Sequence, residues 1–189
     1  MRVVRCALAG LSVGLCVVLM GAKGNTPPVP PGADQVLAQA EATAKAEHKR
    51  ILLVFSASWC GPCHMLEKFL DDPVVHPVID KSFVVAHLDV MENKKDQLHT
   101  SSPGGEVEMA KLGGGGEGVP YFAMLDETGE WITDSKIPPR DDGPPENLGY
   151  PSGSEQIDWL LHMVKKAAPD MAVEDVKTLR DFLENHKSL

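Results

Sequence analysis

Two cysteines three residues apart, Cys60 and Cys63, sit in the pentapeptide Trp59-Cys60-Gly61-Pro62-Cys63. A pair at this spacing can exchange disulfides, supply half of a tetrahedral zinc site, or close a structural bridge. Zinc needs two further ligands, and the seven histidines are scattered along the chain, with no second CxxC. A structural bridge over so short a loop restricts the unfolded chain little. Exchange is therefore the favoured chemistry, with no metal and no organic cofactor expected.

That chemistry depends on where the pair is held. Ile51 to Phe55 is a continuous apolar run that fits a strand buried on both faces, and Cys60 to Leu70 has helical spacing, with Cys63, Leu66, Phe69 and Leu70 along one side. Cys60 thus falls at a helix N-terminus, where roughly half a positive elementary charge favours thiolate over thiol. Cys60 is the expected nucleophile. Cys63, one turn on, is the resolving thiol, Gly61 and Pro62 fix the turn between them, and Trp59 offers a contact surface. His64 either raises the thiolate population by its charge or is a solvated helix residue. Glu67 reads as an ordinary solvated position, and Asp71-Asp72-Pro73 as a helix stop and restart.

Phe83 to Leu88 is a second buried strand, so strand, helix and strand follow in βαβ order. Upstream, Ala33 to Lys49 reads as a helix, with Val36, Leu37, Ala40 and Ala44 recurring at three- and four-residue intervals. Downstream lie a short helix from Glu106 to Leu112, four glycines from Gly113 to Gly116, and a strand from Tyr121 to Leu125. A hairpin turn at Asp126 to Gly129 leads to a returning strand, Trp131 to Thr133. The Pro-rich stretch Lys136 to Ser152 is expected to lack regular structure. Ser154 to Ala167 is an amphipathic helix with Ile157, Leu160, Leu161 and Val164 inward, and Met171 to His186 a further one. No internal repeat is present.

The start of the chain reads as an address. Arg2 and Arg5 precede an uncharged run from Cys6 to Ala22, the pattern of a secretory signal peptide at 1–22 or of an uncleaved anchor over residues 6–22. A Pro-rich linker follows at 23–32. Loss of the leader removes Cys6 and Cys16, leaving Cys60 and Cys63 as the whole thiol complement, in a compartment where disulfides persist. An exported, periplasmic location is expected. The 189 residues are enough for one hydrophobic core without staples, and a formal charge of -9 argues against nucleic acid or an anionic membrane surface as partner.

On these residues the chain resembles the thioredoxin family: WCGPC matches its active site, and Gly118-Val119-Pro120 at the entry to a strand matches its cis-proline loop. The resemblance implies an α/β thioredoxin fold, a central mixed β-sheet flanked by helices with an added C-terminal helix. It covers roughly Ile51 to Ala167. The domain is expected over 33–168, with insertions at 104–118 and 136–152 that would shape a partner-binding rim, and a helical extension over 169–189. The resemblance also implies that Trp59, Gly61, Pro62, Val119 and Pro120 bind the partner, a protein thiol or disulfide, and that a membrane or soluble electron donor keeps the pair reduced. Two positions depart from the pattern. Val54 stands where the family has a buried aspartate, and His87 where it has the lysine paired with that aspartate, so His87 is either a proton shuttle for Cys63 or a histidine satisfied beside the sheet. The segment Cys63-His64-Met65-Leu66-Glu67 is similar to the periplasmic interchange and cytochrome-maturation branches. Reductase is the favoured direction. Oxidase or isomerase activity, or a binding module with an incidental dithiol, are the alternatives.

Overall fold

The computed structural model describes residues 29–186 apart from 97 and 140, so the expected leader and most of the linker lie outside the described residues. β1 (Arg50–Ser56) is central to a four-stranded sheet of order β2-β1-β3-β4, which is why Ile51 to Phe55 are all buried. β2 (Phe83–Asp89) runs parallel to β1, placing His87 opposite Val54. β3 (Tyr121–Leu125) runs antiparallel to β1 on its other side, with Phe122 opposite Val54, and β4 (Trp131–Asp134) pairs antiparallel with β3. A parallel pair needs a crossover, and α2 (Gly61–Asp71) with α3 (His76–Asp80) supplies it. The β3–β4 connection is a tight turn: the Asp126 carboxylate accepts the N–H groups of Thr128 at 2.7 Å and Glu130 at 3.0 Å, and Gly129 takes φ 86°.

Alternation along the strands sorts the interior into two cores. Leu52, Val54, Phe122 and Met124 face α2, α3, α5 (Ser154–Ala167) and α6 (Val173–Asn185). Ile51, Leu53, Phe55, Tyr121, Ala123 and Leu125 face α1 (Ala33–Glu47) and Met109 of α4 (Gly105–Met109). The mixed sheet flanked by helices, with added C-terminal helices, is the expected fold. α6 contributes to the first core: Val176, Leu179, Phe182 and Leu183 are buried, and the Phe182 ring lies 5.8 Å from that of Phe69. Ion pairs Lys81–Asp175 at 2.8 Å and Arg180–Asp158 at 2.7 Å tie it down at the surface.

Two local expectations change. The helix anticipated from Glu106 to Leu112 is a short α4 followed by a π-helical turn, Ala110–Gly114, in which Gly113 adopts φ 93°. A side chain at Gly114 would meet the Tyr121 ring at 2.7 Å, so glycine there lets the turn close on the ring, whose hydroxyl donates to Leu112 O at 2.6 Å. The stretch Lys136 to Ser152 is not wholly irregular: β5 (Lys136–Ile137) pairs antiparallel with β6 (Glu146–Asn147), the prolines being confined to the loop between them and to the segment after. α3 had no periodic signal, since its five residues include Pro77. α2 ends at Asp71; Asp72 is extended ahead of Pro73, and its carboxylate accepts the Val74 N–H at 2.8 Å.

Candidate active site

Cys60 is the residue that turns β1 into α2. It caps the helix in an extended conformation (φ -90°, ψ 108°), and its Sγ accepts the Cys63 backbone N–H at 3.2 Å. The first four N–H groups of a helix lack internal partners. A sulfur placed to receive one of them is favoured as an anion by that hydrogen bond and by the helix dipole together. Pro62 occupies the first turn, where its missing N–H costs nothing. Cys60 and Cys63 form a disulfide with Cα atoms 5.2 Å apart. Both residues are 3% exposed, so exposure does not distinguish them in this oxidised state; what does is the helix N–H directed at Cys60.

The pair lies in a small apolar cluster of its own with Ala57, against which Val119 packs. The Val119–Pro120 peptide is cis, Pro120 is buried, and Val119 O lies 3.3 Å from Cys60 Sγ. The Val119 N–H has no hydrogen-bond partner among the described residues. Trp59, next in sequence to Cys60, is 60% exposed, its Nε1–H donating to Met91 O at 2.9 Å; Gly61 and Pro62 are also exposed. The residues named from the sequence as partner-binding thus surround one disulfide.

Ser58, just before Trp59, is held at all three of its polar groups. Glu92 accepts its N–H at 2.6 Å and its hydroxyl at 2.7 Å, and its carbonyl meets His64 Nε2 at 2.9 Å. Since that carbonyl can only accept, Nε2 carries the proton. Nδ1 of the same ring is 3.4 Å from the Glu67 carboxylate. The bond to Ser58 O and the one to Glu67 hold the His64 pKa above the ordinary histidine value, although the ring is half exposed. Glu67 is exposed, as expected, and reaches His64 from that position. Glu92 escaped sequence reasoning altogether: it lies in a polar, aperiodic stretch, and the available signal was that it follows the strand paired with β1.

His87 shares the α2 face of the sheet with Val54. Its side chain reaches solvent, yet desolvation lowers its pKa, the largest influence, against the upward pull of Glu67, Asp71 and Asp89. Its ring makes no hydrogen bond to either cysteine or to any other described residue, while its main chain lies in the β1–β2 ladder. Burial likewise lifts the Asp89 carboxyl, with Glu92 and Glu67 adding to it and His87 opposing. Among the described residues no group of three or more His, Cys, Asp or Glu side chains is arranged to hold a metal ion. Among them, too, no helix is long and apolar enough to cross a membrane.

Comparison with known proteins agrees with this geometry. Residues 33–127 match the family described as thioredoxin-like. Thioredoxins of Mus musculus and Rattus norvegicus are each 42% identical over 50 residues, covering 26% of this chain and 43% of their own length. Among solved structures, a disulphide isomerase from Xylella fastidiosa Temecula1 is 22% identical with a TM-score of 0.45, covering 86% of this chain and 98% of its own. The C-terminal domain of DsbD from Neisseria meningitidis, in its oxidised form, is 18% identical with a TM-score of 0.42, covering 72% and 99%. With half of its length matched to one family, and with a cap-held CxxC facing a proline loop, this chain belongs to the thioredoxin-like family.

Proposed function

We propose that this protein exchanges disulfides with partner proteins through Cys60 and Cys63, most simply as a reductase outside the cytoplasm. The observation that carries the reading is the Cys60 sulfur at the α2 N-cap, receiving the Cys63 N–H and facing the Val119 carbonyl. In the reduced protein the Cys60 thiolate attacks one sulfur of a partner disulfide, forming a mixed disulfide and expelling the partner's other sulfur as a thiolate that takes up a proton. Cys63 then gives up its proton and attacks Cys60 Sγ, which closes the Cys60–Cys63 bond and releases the second partner sulfur. Two electrons pass to the partner, and an electron donor, membrane-bound or soluble, must return them.

Exposed Trp59 offers contact area beside Cys60, and the free Val119 N–H beside its carbonyl suits pairing with an extended partner segment. With Val54 in place of an acid, proton transfer from Cys63 falls to solvent or to His87, whose lowered pKa leaves it neutral and able to accept. The N-terminal run of the sequence supports export. Reduction of insulin disulfides, together with the equilibrium potential of the Cys60/Cys63 pair, tests the reading. Turnover with a potential near -270 mV, as in thioredoxin, supports a reductase; one near -120 mV, as in DsbA, assigns an oxidase instead.

A further inference from the structure

The Pro-rich insertion between β4 and α5 supports the loop that faces Cys60. Asn147, in β6, directs Nδ2 at Gly118 O, 2.9 Å away, and at Pro120 O, 3.0 Å away, while its Oδ1 accepts the Ser135 hydroxyl at 2.8 Å. The orientation of the amide is fixed by its surroundings. The two carbonyls can only accept, so the NH₂ must face them. Ser135, fully buried, takes the Phe122 N–H at its own Oγ, 3.1 Å away, and its one proton is left for Asn147. Ser135 is in turn anchored by its main chain, its N–H to Phe122 O at 2.8 Å and its carbonyl from Leu148 N–H at 2.7 Å.

The loop needs such support. It follows the glycine run Gly113 to Gly116, Gly118 has no side chain to pack, and Pro120 has no N–H to give to the sheet. Asn147 reaches the carbonyls on either side of Val119 and leaves the Val119 N–H unpaired.

Building on the exchange reading above, we infer that Asn147 is a positioning residue that holds the Gly118–Pro120 loop in the form that receives a partner protein. The insertion thereby sets affinity for protein disulfides through hydrogen bonds to the loop and to Ser135, none of them to either sulfur. A loop already ordered spares the partner the entropy of ordering it.

The test uses the full chain, with insulin as the protein disulfide, and the variants Asn147→Ala and Asn147→Asp. The aspartate keeps the acceptor for Ser135 but turns an oxygen toward the two carbonyls. Both variants are expected to raise KM for insulin about tenfold, the factor that 1.4 kcal/mol represents, with kcat and the Cys60/Cys63 potential held. A glutamyl-specific protease should also cut after Glu117 about tenfold faster, since loss of two hydrogen bonds frees that segment. Unchanged KM and unchanged cleavage in a folded variant overturn the inference, as does failure of both variants to fold, which makes Asn147 a structural strut only. If the wild-type protein reduces no insulin, the exchange reading falls, and cleavage after Glu117 still decides whether Asn147 holds the loop.

Discussion

Two loops meet at the disulfide and are held in different ways. The dithiol loop, Ala57 to Cys63, is placed largely by its neighbours in sequence, since β1 delivers it, α2 receives it, and the sulfur itself caps the helix. Its long-range ties, Glu92 to Ser58 and Met91 to Trp59, come from the segment following the strand next to β1. The facing loop, Gly118 to Pro120, has no helix and no ladder to hold it, and its carbonyls are secured by one side chain 27 residues or more away. One wall is built by secondary structure and the other by an insertion. On the proposed reading chemistry belongs to the first wall and partner affinity to the second, and substitutions in the two should separate.

The largest expected effect lies in the sulfurs. Cys60→Ser should bring insulin reduction to background, whereas Cys63→Ser should leave attack intact and accumulate mixed disulfides, visible as adducts on non-reducing gels that dithiothreitol removes. Equal residual activity in the two variants would erase the asymmetry that the helix cap gives to Cys60.

Glu92→Ala comes next. It leaves the Ser58 N–H and hydroxyl without their shared carboxylate and is expected to cost about 2 kcal/mol in urea unfolding, as for hydrogen bonds to a charged group in a partly buried setting. It should also change the alkylation rate of reduced Cys60, which the Asn147 variants should not. Ser58→Ala removes only the hydroxyl contact and should cost about 1 kcal/mol.

The histidines give the smallest effects, and of opposite sign. His64 has a raised pKa, so its stabilisation is present at pH values below the ordinary histidine value near 6.5 and is lost as pH rises through its folded value. His64→Gln should therefore lower the urea midpoint at pH 5.5 and leave it unchanged at pH 8.5. His87 has a lowered pKa, so the folded state prefers it neutral, and its contribution is lost as pH falls through that lowered value. His87→Gln should raise the midpoint in acid relative to wild type. Identical pH profiles for both variants would remove the distinction drawn between the two rings.

The same contrast explains what could be read from the sequence. β1, β2 and β3 announce themselves as apolar runs and α5 as an amphipathic repeat, because burial imposes a period on the residues that undergo it. The dithiol was legible because strand, motif and helix are contiguous. Glu92 and Asn147 were not, since each acts across space from an aperiodic segment, and nothing in their neighbours shows what they face. The β5–β6 pair was hidden because two-residue strands carry no period and the prolines around them dominate the local signal. His87 was visible as a candidate, but the lowering of its pKa follows from desolvation beside the sheet, which only the fold supplies.

The pH dependence of alkylation of the reduced protein, with the labelled cysteine identified by mass spectrometry, bears most directly on the α2 N-cap. Preferential labelling of Cys60, with a thiol pKa well below the free-cysteine value of about 8.5, is the expected result. Equal, slow labelling of Cys60 and Cys63 with both at or above that value would contradict the assignment of Cys60 as an activated nucleophile.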